Sequence, residues 1–124
     1  MTEGKKHILI VDDQPNLRKV LRDLMEHQGF EVSTADNGET GVQIALETKP
    51  DLIVMDMMMP VLGGVEATRQ IRENPDFGQT PIVFLTARGQ AEDEARAREA
   101  GATAFINKPF SPRKVMATVQ DLLK

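Results

Sequence analysis

Four short apolar runs in this chain end in residues able to do chemistry. Asp12 and Asp13 end the first run, Asp56 the next buried one, Thr86 the one after it, and Lys108 the last. If the runs are parallel strands of one sheet, all five residues gather at its carboxyl edge, where open α/β sheets bind their ligands. Three carboxylates held together repel one another, and one would keep a proton unless a cation were present. A hard divalent ion resolves the conflict: about −3 from the aspartates is balanced by +2 from Mg²⁺ and +1 from Lys108, and Mg²⁺ prefers oxygen ligands. A carboxylate is also a nucleophile that forms an aspartyl phosphate when a phosphoryl donor lies in line with it. The same cation and lysine would stabilise charge on the transferring phosphoryl oxygens, and Thr86 could hydrogen-bond one of them. Taken alone, Thr86 also reads as an ordinary β-branched strand end.

These residues need elements to hold them. The central stretch runs from Leu52 to Pro60: four apolar residues deliver Asp56 to a turn that Pro60 helps to fix. It is too short for a buried helix and suits a strand covered on both faces. His7 to Val11 is a second such strand. Pro15 follows it in the first turn of a helix whose inward residues are Leu17, Val20, Leu21, Leu24 and Met25, with Gly29 as the stop. Phe30 to Ala35 alternates as an edge strand does, and Asp36-Asn37-Gly38 turns the chain into a helix from about Glu39 to Glu47, with Val42, Ala45 and Leu46 inward. Gly63 and Gly64, read as turn residues, open a third helix with Ala67 and Ile71 inward, which ends before Asn74-Pro75.

Pro81 to Thr86 is a further buried strand. Gln90 to Ala100 is a helix by propensity whose inward candidates are only Ala91, Ala95 and Ala97, so its packing is expected to be shallow. Thr103 to Ile106 forms the fifth strand, closed by Lys108-Pro109. Ser111-Pro112 caps a last helix that buries Val115, Met116, Val119, Leu122 and Leu123. Five strands alternating with five helices predict a doubly wound parallel α/β sheet, one domain over residues 1–124.

Composition narrows the function. The 124 residues include no cysteine, so there is no sign of a disulfide framework or thiol chemistry. No apolar run approaches membrane-spanning length, and a cytoplasmic protein with no membrane attachment is expected. The net charge of −4 argues against direct nucleic-acid binding. Met55, Met57, Met58 and Met59 read as core and loop filling, because thioethers do not suit a site built of carboxylates.

Asp12-Asp13, Asp56 with Met59-Pro60 and Gly64 after it, Thr86-Ala87, and Lys108-Pro109-Phe110 together resemble the receiver domain of bacterial two-component response regulators. The resemblance covers essentially the whole chain and implies the flavodoxin-like strand order 2-1-3-4-5, which sets the first and third strands side by side. It further implies a phosphorylation switch. Asp56 would accept a phosphoryl group from a sensor histidine kinase or phosphotransfer protein. Mg²⁺ would be held by Asp13, Asp56 and the Met58 carbonyl, with Asp12 reaching it through water. Lys108 would pair with the phosphoryl group, and Thr86 would turn toward it while Phe105 moves inward. The surface of the fourth helix, fifth strand and fifth helix would then engage a downstream protein target. On this reading the chain is no conventional enzyme: it catalyses its own phosphoryl transfer from phosphohistidine and its own dephosphorylation.

Departures from the family pattern carry their own expectations. Gly63 replaces a frequent aspartate, Phe105 a frequent tyrosine, and Thr103-Ala104 an acidic pair common in regulators that dimerise through the fourth-helix face. A monomer is therefore expected, with a dimer left open on phosphorylation. Met58 and Arg88 stand where bulk hinders attacking water, implying a long-lived phosphoryl state. Met1 and its short polar lead incline toward a stand-alone regulator over a receiver cut from a longer protein. Other readings compete. A receiver-like binding module independent of phosphorylation could dispense with Lys108 or Asp13; a flavodoxin-like carrier would have its phosphate repelled by Asp12-Asp13, and an enzyme using an aspartyl-phosphate intermediate would need a separate general base, which is not evident.

Overall fold

The computed structural model describes residues 5–87 and 91–123. The elements run β1 (His7–Val11), α1 (Pro15–His27), β2 (Glu31–Ala35), α2 (Gly38–Thr48), β3 (Leu52–Asp56), α3 (Gly64–Arg72), a 3₁₀ turn (Pro75–Phe77), β4 (Ile82–Ala87), α4 (Ala91–Ala100), β5 (Ala104–Lys108) and α5 (Pro112–Leu122). All strand pairings are parallel, in the order β2-β1-β3-β4-β5. The expected doubly wound sheet is therefore the one formed. Arg88 and Gln90 lie outside the described residues, as do Met1 to Gly4. Among the described residues no helix is long and apolar enough to cross a membrane.

The near-continuous apolar character of the inner strands follows from burial on both sides. Leu9, Val11, Ile53, Met55, Ile82 and Phe84 face a core completed by α2, α3 and α4. Their alternates Ile8, Ile10, Leu52, Val54, Val83 and Leu85 face the core of α1 and α5. Met55 and Met57 are buried core residues, as their apolar reading predicts.

Three inward assignments are corrected. Val20 is 47% exposed and Leu46 41% exposed, and Ala95 is exposed, whereas Ala97 is buried as expected and Ala100 is buried beside it; the side chain of Ala91 lies outside the described residues. Each misassigned residue sits at the margin of a helical apolar stripe, and the rotation of the helix on the sheet decides which margin is covered. On α2 that rotation is set by close approach. A side chain at Gly41 would come within 2.9 Å of the Val11 side chain, so the narrow face of Gly41, Val42 and Ala45 meets the sheet and Leu46 does not.

The fifth strand also runs further than the apolar pattern reaches. Because β4 continues through Ala87, it offers ladder partners to Asn107 and Lys108, and β5 ends at Lys108 where the sequence reading stops at Ile106. Arg72, at the end of α3, anchors the chain that enters β5. Its guanidinium donates to the carbonyl of Gly101 at 2.7 and 3.1 Å and to that of Phe77.

The loop after β3 contains a strained residue. Val61 has φ +69° and is 74% exposed, a left-handed conformation that is costly for a β-branched residue. Val61→Asn is expected to stabilise the protein by about 1 kcal/mol, raising Tm by about 3–5 °C in a thermal melt. An unchanged or lower Tm would show that the surrounding loop, and not residue 61, carries the strain.

Candidate functional site

The parallel register brings the strand ends together. Asp12 and Asp13 leave β1, Asp56 ends β3, Thr86 lies near the end of β4, and Lys108 ends β5. One carboxylate oxygen from each of Asp12, Asp13 and Asp56 falls within 4.8 Å of the others. Adjacency of β1 and β3 is what makes this possible. Lys108 reaches across β4, its Nζ 3.2 Å from Asp56 Oδ1.

Burial gives the cluster its chemistry. Asp12 is fully buried and Asp56 is 4% exposed, while Asp13 is exposed. Burial pushes the Asp56 carboxyl up to about 6, the nearby Asp12 charge pushes in the same direction, and Lys108 opposes both. Burial likewise raises Asp12, against a backbone N–H that Gln14 donates to its Oδ1 at 2.8 Å. The other oxygen, Asp12 Oδ2, is buried with no hydrogen-bond partner. A buried, unpartnered oxygen on a carboxylate that clusters with two more is a donor set that suits a hard cation, so these residues fit Mg²⁺.

The loop after β3 is held close to the site. Gly64 donates its N–H to the Met57 carbonyl at 3.0 Å, and Met57 donates to that of Leu85 at 3.2 Å. Gly63 is the N-cap of α3 with φ −72°, a conformation open to any residue. Gly64 serves packing instead of turning the chain: a side chain there would strike the carbonyl oxygen of Asp56 and come within 3.1 Å of Met55 and Phe84. Met58 is 65% exposed on this loop.

Thr86 is fully buried, and its hydroxyl donates to Asn107 Oδ1 at 2.7 Å. Phe105 is half-buried against Phe84, with ring centroids 5.9 Å apart, and the Arg98 guanidinium lies 4.6 Å over its ring. Neither Asn107 nor Arg98 stands out in the sequence. Continuing β5 by two residues would have placed Asn107 opposite Thr86. Arg98, by contrast, belongs to a run of charges that reads as a solvated face.

The family model for the response regulator receiver domain matches residues 8–120. The chain is 42% identical over 117 residues to the transcriptional regulatory protein ResD of Bacillus subtilis, covering 94% of this chain and 48% of that protein. It is 38% identical to the transcriptional regulatory protein SrrA of Staphylococcus aureus, covering 94% and 47%. The chain thus spans about half the length of these curated relatives. Among solved structures, the chemotaxis response regulator CheY4 of Vibrio cholerae superposes with a TM-score of 0.90 at 30% identity, over 96% of this chain and 99% of that one. The receiver domain of a sensor histidine kinase from Pseudomonas aeruginosa, solved with a magnesium ion coordinated in its active site cleft, gives 0.87 at 30% identity, over 97% and 98%.

Proposed function

The chain belongs to the response regulator receiver domain family of two-component systems, and from that premise we propose that Asp56 is its phosphoacceptor. The observation that supports this most directly is the buried cluster itself. Asp56 lies within reach of two further carboxylates, is paired with Lys108, and ends a strand covered on both faces. A sensor histidine kinase or phosphotransfer protein supplies the phosphoryl group as phosphohistidine. The N–P bond breaks as an Asp56 oxygen forms the new O–P bond, and the departing imidazole takes its proton from solvent.

Asp13, Asp56 and the Met58 carbonyl would hold Mg²⁺, with Asp12 in the same acidic cluster. The ion, when bound, neutralises charge on the phosphoryl oxygens. Lys108 exchanges its bond to the Asp56 carboxylate for one to the phosphoryl group, and Asp12 keeps the site acidic enough to require the cation. Thr86 turns toward the phosphoryl group, and Phe105 follows it inward. The change is read at the α4, β5 and α5 surface by a downstream protein target in the cytoplasm. A thin α4 interface fits that assignment, because on the described face only Ala97 and Ala100 are buried.

The test is intact mass after incubation with Mg²⁺ and a small acyl-phosphate donor. One labile phosphoryl adduct is expected, absent without metal and absent in Asp56→Asn. No adduct on the folded protein would replace this reading with a binding module that works without phosphorylation.

Swinging a two-state population from 1:99 to 99:1 takes about 5.5 kcal/mol. A single charge-assisted hydrogen bond supplies only about 1.5–3 kcal/mol, so Lys108 must contribute alongside Thr86. Thr86→Ala is therefore expected to accept the phosphoryl group yet lose most of the coupling. Phe105 ring resonances that shift on phosphorylation of the wild type would stay near their resting positions in the variant. Equal shifts in both proteins would remove Thr86 from the switch.

A further inference from the structure

We propose that Asn107 is a positioning residue that competes with the phosphoryl group for the Thr86 hydroxyl, and so sets how readily the switch turns on. This rests on the reading of Asp56 as phosphoacceptor. A threonine hydroxyl has one proton to donate. Here that proton goes to Asn107 Oδ1 at 2.7 Å, from a side chain that is fully buried. Turning toward a phosphoryl oxygen on Asp56 requires giving up this bond.

The two partners do not lose equally in the exchange. Asn107 is exposed, so its amide finds water as soon as Thr86 leaves. Thr86 is buried, so its hydroxyl needs a protein or phosphoryl acceptor in either state. Asn107 therefore satisfies the resting state and surrenders its partner without leaving a buried group unpaired. Neighbouring residues of β5 divide the work: Asn107 holds the Thr86 hydroxyl while Lys108 holds the Asp56 carboxylate. The parallel pairing that sets Thr86 opposite Asn107 makes this geometry a property of the sheet and not of a loose side chain.

An apolar residue at position 107 would leave the Thr86 hydroxyl without an acceptor at rest. The resting state would rise in free energy, and a phosphoryl mimic would gain by the same amount. The test compares wild type, Asn107→Leu, Thr86→Ala and the double variant for affinity toward beryllofluoride in the presence of Mg²⁺. Because Asn107 is exposed and leucine keeps the same branched heavy-atom skeleton, the variant is expected to fold. Asn107→Leu should bind the anion about 2- to 10-fold more tightly than wild type, the range corresponding to one net hydrogen bond. In the Thr86→Ala background the same substitution should change affinity by less than about 2-fold.

Two further readouts separate competition from a merely structural role. The Thr86 methyl resonance should move in Asn107→Leu before any anion is added. Thermal stability should fall slightly while anion affinity rises, whereas a structural role would lower both. Equal or weaker binding by Asn107→Leu, or the same gain with and without Thr86, overturns the competition. If wild type itself binds no beryllofluoride, the phosphoacceptor reading fails, and this inference fails with it.

Discussion

Asp56→Asn is expected to make the metal-free protein more stable at pH 7.5, by about 1–3 kcal/mol, although most substitutions at buried positions destabilise. The reason is the position of the Asp56 carboxyl. Burial and the Asp12 charge raise it from 3.8 to about 6, so the folded protein holds an ionised group in a place that disfavours it. Each pKa unit corresponds to about 1.4 kcal/mol, which sets the upper end of the gain; the Lys108 contact is already contained in that net shift, and the cost of burying the asparagine amide reduces the gain.

The pH dependence has a definite sign. The folded-state value is raised, so this group's favourable contribution is complete below 3.8 and is lost as pH rises through about 6. In chelator, the wild type should therefore lose stability between pH 4 and pH 7 relative to Asp56→Asn. Mg²⁺ should restore much of it at pH 7.5, less at pH 5, and little in the variant, because ligand binding to the folded state alone stabilises it. Urea unfolding at the two pH values, with and without Mg²⁺, tests all of this. A variant less stable than wild type in chelator at pH 7.5 would mean that the Lys108 pair outweighs burial at this site.

Gly64→Ala should produce a large stability loss for a single methyl addition. The added carbon would strike the Asp56 carbonyl oxygen and stand 3.1 Å from both Met55 Cγ and Phe84 Cε2. Two of these neighbours belong to β3 and the third to β4, so the start of α3 has to move off the sheet. Overpacking of this kind typically costs about 1–3 kcal/mol, and a collision with backbone places the loss at or above the top of that range. Because the displaced atom belongs to Asp56, Mg²⁺ affinity should fall as well. Gly63→Ser is the contrasting case. Its nearest neighbour would be the Met57 carbonyl at 3.6 Å, and serine is a good N-cap where glycine offers no side chain, so stability should stay within about 0.5 kcal/mol or improve. Denaturation midpoints of the two variants, side by side, distinguish packing from turn formation; similar losses in both would refute the distinction.

The strands, their alternation with helices, and the polar residue at each strand end are all legible in the order of residues. Apolar runs of four or five residues between turn signals admit few other readings, and a buried strand needs apolar residues on both faces. Asp12, Asp13, Asp56, Thr86 and Lys108 were legible for that reason. Helix existence was legible too, whereas helix rotation was not. Val20, Leu46 and Ala95 fall on stripe margins, and only contact with the sheet decides that Gly41 approaches Val11 and that Ala100 joins Ala97 inward.

The same limit hid Asn107. Nothing about an asparagine before Lys108 marks it in one dimension, but the register of β4 with β5 places it against a buried hydroxyl. Burial of Asp12 Oδ2 without a partner, and the raised Asp56 carboxyl, are likewise products of three strands meeting at one edge. Residue type and period are local and survive in the sequence. Which groups share a proton, a cation or a void depends on distances between segments remote along the chain, and those distances exist only once the sheet is closed by its helices.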